Sequence, residues 1–292
     1  MPGAHFIASD GGYETASMDR RAFLKWGGMS VVAAAIGRVS LPALGEGEPA
    51  MEPDLSRAVQ MQFMRPGQLE AAGRTFPVVY VPFGLIEWHG PQLPLGNDAL
   101  KAHGVLVKCA EKFGGVVYPP VYFHAGFDQQ HLVPVVTELF QHLKETGFRV
   151  IIGVSGHNIQ EQLDMINNAL APVTADGTVA GAGVWEVSLS QCEESDTDHA
   201  AKWETSNMMF FYPDLVDMSE LGAEPINLDM KPPYGIGGLD PREHASAQVG
   251  RRNVELAADA IGKEAQRLLA SLPEAQRAFN IKSISPENWW LV

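Results

Sequence analysis

Apolar runs and amphipathic segments alternate along most of the chain after residue 76. Runs rich in β-branched and aromatic residues, typical of buried strands, occupy residues 78–83, 116–119, 149–154 and 183–189. Elsewhere apolar residues recur at three- and four-residue steps, which predicts helices over residues 99–113, 132–146, 161–174, 200–211 and 242–272. This alternation predicts an α/β fold, a mainly parallel sheet flanked by helices in three layers. The preceding polar segment, residues 46–76, is rich in Pro, Gly and Arg, and no element is assigned to it.

The first 45 residues are predicted to be an N-terminal extension with an export signal. Arg20 and Arg21 precede a mildly apolar stretch, residues 26–37, that is too short to span a membrane, and the basic Arg38 follows it. This arrangement looks like a twin-arginine signal, which predicts an exported, periplasmic protein. The alternative is a cytoplasmic protein with a chance Arg-Arg pair. Residues 46–292 are predicted to form one domain.

Composition narrows the possible partners. The formal net charge is −14, and an acidic surface repels phosphate backbones, so we expect no nucleic-acid partner. No segment after the signal is apolar enough to cross a membrane, so we expect no stable membrane anchor. The two cysteines, Cys109 and Cys192, could form a disulfide or remain two thiols, because sequence separation alone does not establish the geometry.

Three potential metal ligands follow the first apolar run. Residues two apart in an extended chain point the same way, so Glu87 and His89 project to one side. Turns over residues 90–96 can fold Asp98 back toward that pair. Carboxylates and an imidazole together suit zinc, manganese or iron(II). Taken singly, Asp98 could cap the next helix, His89 could hydrogen-bond within a turn, and Glu87 could be solvated. Their clustering after one strand favours the metal interpretation.

Two other predicted strand exits carry similar residues. Ligands of open α/β sheets bind beyond the carboxyl ends of the strands. The predicted strand 149–154 ends just before His157, which places a second imidazole at this edge. The fourth apolar run leads through an acidic loop to His199 and Glu204. A structural alternative is that Asp198 caps a helix whose first turn contains His199, with no chemical role for either residue.

These residues belong to motifs that occur in a characteristic order. The motifs are Gly84-Leu-Ile-Glu87-Trp-His89-Gly-Pro with Leu93-Pro94-Leu95-Gly96-x-Asp98, then Ser155-Gly156-His157-Asn158, then His199-Ala200-x-x-x-Glu204-Thr205-Ser206, and a weaker Gly237-Gly238-Leu-Asp240-Pro241. In them the chain resembles the creatininase family, also called creatinine amidohydrolases. The resemblance covers residues 77 to about 255 and implies a creatininase-like α/β/α fold.

The resemblance also implies a site with two divalent metal ions, zinc or manganese, with iron as an alternative. Asp98 would bridge the ions, Glu87 and His157 would hold one, and His89 would hold the other. Creatininase has a glutamate two residues after the His157 position, where this chain has Ile159, and Glu204 is the natural substitute as the last ligand. His199 matches the histidine expected to transfer protons, and Glu204 could instead relay a proton.

The implied function is metal-dependent hydrolysis of a C–N bond, other than an ordinary peptide bond, in a small amide. Two departures from the family pattern, Asn158-Ile159-Gln160 after the histidine and Val135-Val136-Thr137 where small residues are expected, argue against creatinine itself as the substrate. Two alternatives are an exported binding protein that has lost turnover, and a deformylase or peptidase with the same metal core. Family members are often hexamers, so a homo-oligomer is expected from the resemblance alone.

Overall fold

The computed structural model describes residues 55–186 and 198–279, which all belong to one compact unit. The twin-arginine segment, residues 187–189 of the fourth predicted strand, and Cys192 lie outside the described residues. Export therefore remains a prediction, and Cys109, which is buried in the structure, keeps both alternatives, a disulfide or a free thiol.

The described residues form five strands and seven α-helices. The strands are β1 Val78–Ile86, β2 Val116–Val117, β3 Val121–His124, β4 Val150–Ser155 and β5 Ala180–Trp185. The α-helices are α1 Pro66–Thr75, α2 Asn97–Phe113, α3 Gln129–Thr146, α4 Gln160–Thr174, α5 Lys202–Phe211, α6 Pro241–His244 and α7 Ala247–Ser271. Short 3-10 turns occur at Arg57–Val59, Met61–Phe63, Pro213–Leu215, Met218–Leu221 and Glu274–Gln276.

The five strands form one parallel sheet in the order β2-β1-β4-β5. Strand β1 pairs with β2 near its start, and its later residues pair with β3 on the same side. The predicted mainly parallel sheet is therefore confirmed. Because all strands run the same way, the carboxyl ends of β1, β4 and β5 lie along one edge.

Helices cover both faces of the sheet, as predicted. Alternate residues of β1 point to opposite faces: Tyr80 packs in the cluster that contains α2 and α7, and Val79 packs in the cluster that contains α3 and α4. Both β1 and β4 are buried on both sides, which is why they read as continuous apolar runs. Each such fully buried aliphatic or aromatic side chain stabilises the fold by about 1.5–3 kcal/mol.

The N-terminal part of the domain differs from the prediction, since the polar segment before residue 77 contains helix α1. Pro66 occupies its first turn, where the missing N–H has no intrahelical role, and the Gln68 side chain accepts from the Arg65 backbone N–H at 3.0 Å. Only two residues of α1 are buried, so its apolar periodicity is too weak to identify it in the sequence.

Strand β3, strand β5 and the last predicted helix also differ from the predictions. Strand β3 was missed because only four residues pair and their side chains are alternately exposed. Strand β5 begins at Ala180 rather than residue 183, in a stretch of Ala and Gly with low strand propensity. The predicted helix 242–272 is divided into α6 and α7, because Ser246 leaves the helix and accepts the Val249 N–H at 3.2 Å. Among residues 55–186 and 198–279, no helix is long and apolar enough to cross a bilayer.

Candidate metal centre

All six residues singled out in the sequence meet at the carboxyl edge of the sheet. Glu87 and His89 follow β1, His157 follows β4, and Asp98 lies in the first turn of α2. His199 and Glu204 lie before and within α5. Three overlapping groups bring their ligand atoms within 4.8 Å of one another: Glu87, Asp98 and His157; His89, Asp98 and Glu204; and Glu87, His89 and His199.

Two of these groups define separate positions that share Asp98. We call the group of Glu87, Asp98 and His157 the outer position, and the group of His89, Asp98 and Glu204 the inner position. In the outer position, His157 Nδ1 lies 2.8 Å from Glu87 Oε1 and 3.4 Å from Asp98 Oδ2. In the inner position, His89 Nε2 lies 2.9 Å from Asp98 Oδ1 and 3.7 Å from Glu204 Oε2. The two oxygens of Asp98 thus face different positions.

Helix α2 brings Asp98 to the centre because two glycines let it approach the sheet closely. A Cβ on Gly84 of β1 would lie 2.2 Å from Ala99 N, and a Cβ on Gly156 would lie 2.1 Å from Asp98 O. Asp98 is not the cap of α2, since the helix begins at Asn97. Its Oδ2 instead accepts the Leu85 N–H at 3.2 Å, which ties the carboxylate to β1.

Glu87 is not the solvated residue of the structural alternative, whereas the local hydrogen bond foreseen for His89 is present and uses one ring nitrogen. The His89 side chain is 1% exposed and that of Glu87 is 16% exposed. His89 Nδ1 lies 3.3 Å from the carbonyl oxygen of Glu87, two residues earlier in the chain. This contact leaves Nε2 as the ring nitrogen that faces the two carboxylates of the inner position.

The central atoms of the cluster lack the hydrogen bonds that buried polar atoms normally make. Glu87 Oε1, His89 Nε2 and Asp98 Oδ1 are buried, and none has a hydrogen-bond partner of suitable geometry among the described residues. They nevertheless lie close to other ligand atoms, such as the 2.9 Å contact of His89 with Asp98. Close approach without hydrogen-bond alignment is what donors directed at a common cation would show, so the residues fit divalent metal ions.

His199 lies beside the cluster, before α5 begins. Its backbone exchanges two 2.9 Å hydrogen bonds with Gly237, so it is not a first-turn helix residue. Its ring stacks on His89 with centroids 4.8 Å apart, and its Nδ1 lies 2.8 Å from Gly235 O. Because a carbonyl oxygen only accepts hydrogen bonds, Nδ1 carries the proton and Nε2 is left available.

Glu204 is positioned by the unusual start of α5. Ala200 has a left-handed backbone, with φ of 54°, and its N–H donates to Glu204 Oε2 at 2.7 Å. The structural role foreseen for Asp198 is present, since its carboxylate accepts the Trp203 and Glu204 N–H groups at 2.6 and 3.2 Å. Ile159 lies at the start of α4 and is 37% exposed.

In the metal-free protein the carboxylates and imidazoles of the cluster stabilise one another's charged forms. Burial alone would lower the pKa of His89, but the carboxylates of Glu204 and Asp98 outweigh it and raise that pKa to about 9. Burial is likewise outweighed at His157, where Asp98 and Glu87 raise the pKa to about 9. Burial would raise the pKa of Asp98, yet the two imidazoles hold it well below its usual range.

Two further charged residues beside the cluster were not identified from the sequence. The Lys101 side chain is fully buried, with Nζ 3.0 Å from Glu204 Oε1 and 3.3 Å from Glu186 Oε1. Burial would lower the pKa of Lys101, but these two carboxylates raise it well above its usual range. Burial raises the pKa of Glu186 to about 7, although Lys101 opposes the shift. The one available signal was a lysine on the apolar face of α2, three residues after Asp98.

Known proteins resemble this chain in sequence. A family model described as creatininase, creatinine amidohydrolase, matches residues 62–264. A mycofactocin precursor peptide peptidase from Mycobacterium ulcerans (strain Agy99) is 27% identical over 171 residues, which is 51% of this chain and 64% of the relative. The creatinine amidohydrolase of Pseudomonas putida is 24% identical over 196 residues, 56% of this chain and 75% of the relative. The aligned part thus spans less than two thirds of the peptidase.

A solved structure has the same fold. The crystal structure of a creatinine amidohydrolase (creatininase) superposes with a TM-score of 0.60 at 20% identity, covering 73% of this chain and 99% of the other. The likeness extends over nearly the whole of that chain and confirms the creatininase-like α/β/α architecture. Because the family model matches well over half of the residues, this protein belongs to the creatininase family.

Proposed function

We propose that the protein is a metal-dependent hydrolase that cleaves a C–N bond, other than an ordinary peptide bond, in a small amide. The observation that carries the proposal is the set of buried, unpartnered donor atoms at the centre of the cluster, Glu87 Oε1, His89 Nε2 and Asp98 Oδ1. These atoms lie close to one another without aligned hydrogen bonds, and a cation among them would be a common partner for all three. Solved creatininases described as a manganese form and as a Zn-Zn type support divalent ions as the cofactor.

Two ions would be held by this chain, one at each position. Glu87 and His157 would complete the outer position and His89 and Glu204 the inner one, with Asp98 shared. Divalent ions supply Lewis acidity and lower the pKa of bound water toward neutrality. Glu204 is suited to the ligand role rather than to proton relay, because its side chain is only 7% exposed and both of its oxygens already have partners.

His199 would handle the proton that the reaction moves. With its Nδ1–H held by Gly235 O, the free Nε2 can accept a proton and return it to the departing nitrogen. Stacking on His89 keeps this ring beside the inner position. His199 would thus supply the proton donor beside the metal positions.

A short peptide is a second candidate substrate, favoured by the similarity to a mycofactocin precursor peptide peptidase. A binding protein without turnover is the third candidate. Metal analysis of the purified wild type, followed by a screen of cyclic amides, formamides and short peptides, separates the three. About two ions with hydrolysis of a small amide supports the proposal, and cleavage of peptides alone supports the second candidate. Tight binding of a small molecule without hydrolysis supports the third.

Substitution of Asp98, the carboxylate shared by both positions, tests the proposal most directly. Asp98→Asn keeps the shape but removes the charge common to both positions, so we expect loss of both ions and of hydrolysis. Asp214→Asn is the matched control, since Asp214 is exposed in the turn Pro213–Leu215. An Asp98→Asn protein that retains two ions per chain would contradict the shared role of Asp98.

A further inference from the structure

The buried Lys101 has all three of its ammonium donors matched by acceptors. Nζ lies 2.6 Å from Gly156 O, 3.0 Å from Glu204 Oε1 and 3.3 Å from Glu186 Oε1. A fully satisfied ammonium with no exposure has little freedom to move. It links α2 to the backbone just before His157 and to the carboxylate of the inner position.

These contacts restrict what Glu204 can offer to a cation. Its Oε1 is occupied by Lys101, and its Oε2 accepts the Ala200 N–H while lying 3.7 Å from His89 Nε2. Only Oε2 therefore faces the inner position. Without the lysine, the carboxylate could rotate and present either oxygen or both.

Glu186 anchors the lysine from the opposite side. It lies directly after β5 with its side chain 1% exposed, and Asn207 Nδ2 donates to its Oε1 at 3.4 Å. Asn253 of α7 donates in turn to Asn207 Oδ1 at 3.1 Å. The buried polar chain thus runs from α7 through α5 and the end of β5 to Lys101.

We propose that Lys101, anchored by Glu186, is a positioning residue that holds Glu204 as a one-oxygen ligand and thereby increases the affinity of the inner position for its metal ion. The inference rests on the proposed metal site and deepens it. Residues that hydrogen-bond to a metal ligand and orient it typically contribute 10–100-fold in metal affinity. The opposite expectation comes from charge alone, because a buried ammonium near a cation site repels the cation.

A pair of variants separates positioning from charge. At pH 8, where Glu186 with its pKa of about 7 is ionised, Glu186→Gln removes one negative charge but keeps the contact between Lys101 and Glu204. The double variant Lys101→Met with Glu186→Gln removes one charge of each sign, leaves the net charge unchanged and abolishes that contact. Charge alone predicts that Glu186→Gln binds the inner ion more weakly than the double variant. Positioning predicts the reverse order, with the double variant weakened 10–100-fold relative to wild type.

The measurement is a stepwise titration of metal-free full-length protein with Zn²⁺ against a chromophoric chelator, which gives an affinity for each ion. Glu204→Gln identifies the inner ion as the one it loses, and adding the double substitution to Glu204→Gln should not change the remaining affinity. Thermal unfolding checks that each variant is folded. If the double variant does not fold, Lys101→Gln with Glu186→Gln replaces it, since the amide leaves one donor in the same space and should give an intermediate affinity.

The outcomes distinguish this inference from the proposed function. Wild-type protein with two ions but an unchanged inner affinity in the double variant, or in its replacement, overturns the positioning role and leaves the proposed function intact. A double variant that binds the inner ion more tightly than wild type shows that the contact with Lys101 weakens metal binding, and this result also overturns the positioning role. Wild-type protein that binds no ion at the inner position overturns both.

Discussion

The metal-free protein should lose stability between pH 6.5 and pH 9, because two imidazoles of the site are held as cations. The carboxylates around His89 and His157 outweigh burial and raise both pKa values from 6.5 to about 9. Each ring therefore binds its proton more tightly in the folded protein than in the unfolded chain. Their contribution to stability is complete below pH 6.5 and is lost as the pH rises through 9.

The size of this loss follows from the shifts. At about 1.36 kcal/mol per pKa unit, a shift from 6.5 to about 9 is worth about 3 kcal/mol for each imidazole. The two rings share Asp98, so their effects do not add fully, and we expect a combined loss of about 3–5 kcal/mol. This is a large part of the stability of about 5–15 kcal/mol typical of a domain. Glu186 and Asp198, whose pKa values are raised to about 7, act mainly below this window.

Urea unfolding at a series of pH values, with a chelator present, measures the free energy directly. The metal-loaded protein should show no comparable decline, since neutral imidazoles bind the ions across the window. His157→Gln should reduce the decline to about half, whereas the exposed α3 variant His142→Gln should leave it unchanged. Stability of the metal-free wild type that stays flat or increases from pH 6.5 to 9 would refute the electrostatic reasoning.

Two further predictions concern catalysis and packing. His199→Asn should lower kcat by about 10²–10⁴-fold while leaving two ions per chain, because the ring moves a proton without holding a metal. Loss of an ion in this variant would show that His199 is a metal ligand instead. Gly156→Ala should destabilise the fold by about 1–3 kcal/mol and weaken metal binding, since its Cβ would lie 2.1 Å from Asp98 O. Gly67→Ala in α1 is the control, because no atom lies within 4 Å of its Cβ, and unfolding and metal titrations that do not separate the two variants would contradict the packing argument.

Much of the fold is specified by local pattern. The strand β1 is apolar at every position and the predicted segment 78–83 lies within it, because a strand buried on both faces must be apolar throughout. Helix α2 carries a clear three- and four-residue period, and the predicted bounds differ from the structure by two residues at its start. Elements with few buried residues, such as α1 and β3, carry no such period and were missed.

The same distinction applies to the site. Residue type and spacing alone identified Glu87, His89 and Asp98, because a strand of period two followed by turns brings such side chains together. The joining of His157, His199 and Glu204 to them was foreseen from the parallel order of the strands and from the family motifs. Their roles as ligands or proton carriers stay proposals that the titrations above test.

What only the tertiary structure decided is which charged side chains are withdrawn from water. In the sequence, Lys101 lies on the apolar face of a predicted helix and Glu186 lies within a predicted strand, but nothing local indicates that their side chains meet. They form a buried pair because Lys101 of α2 packs against the residues that directly follow β4 and β5, a contact between segments more than fifty residues apart. Local sequence determines periodicity and backbone conformation, whereas burial and the pairing of charges depend on how distant segments pack.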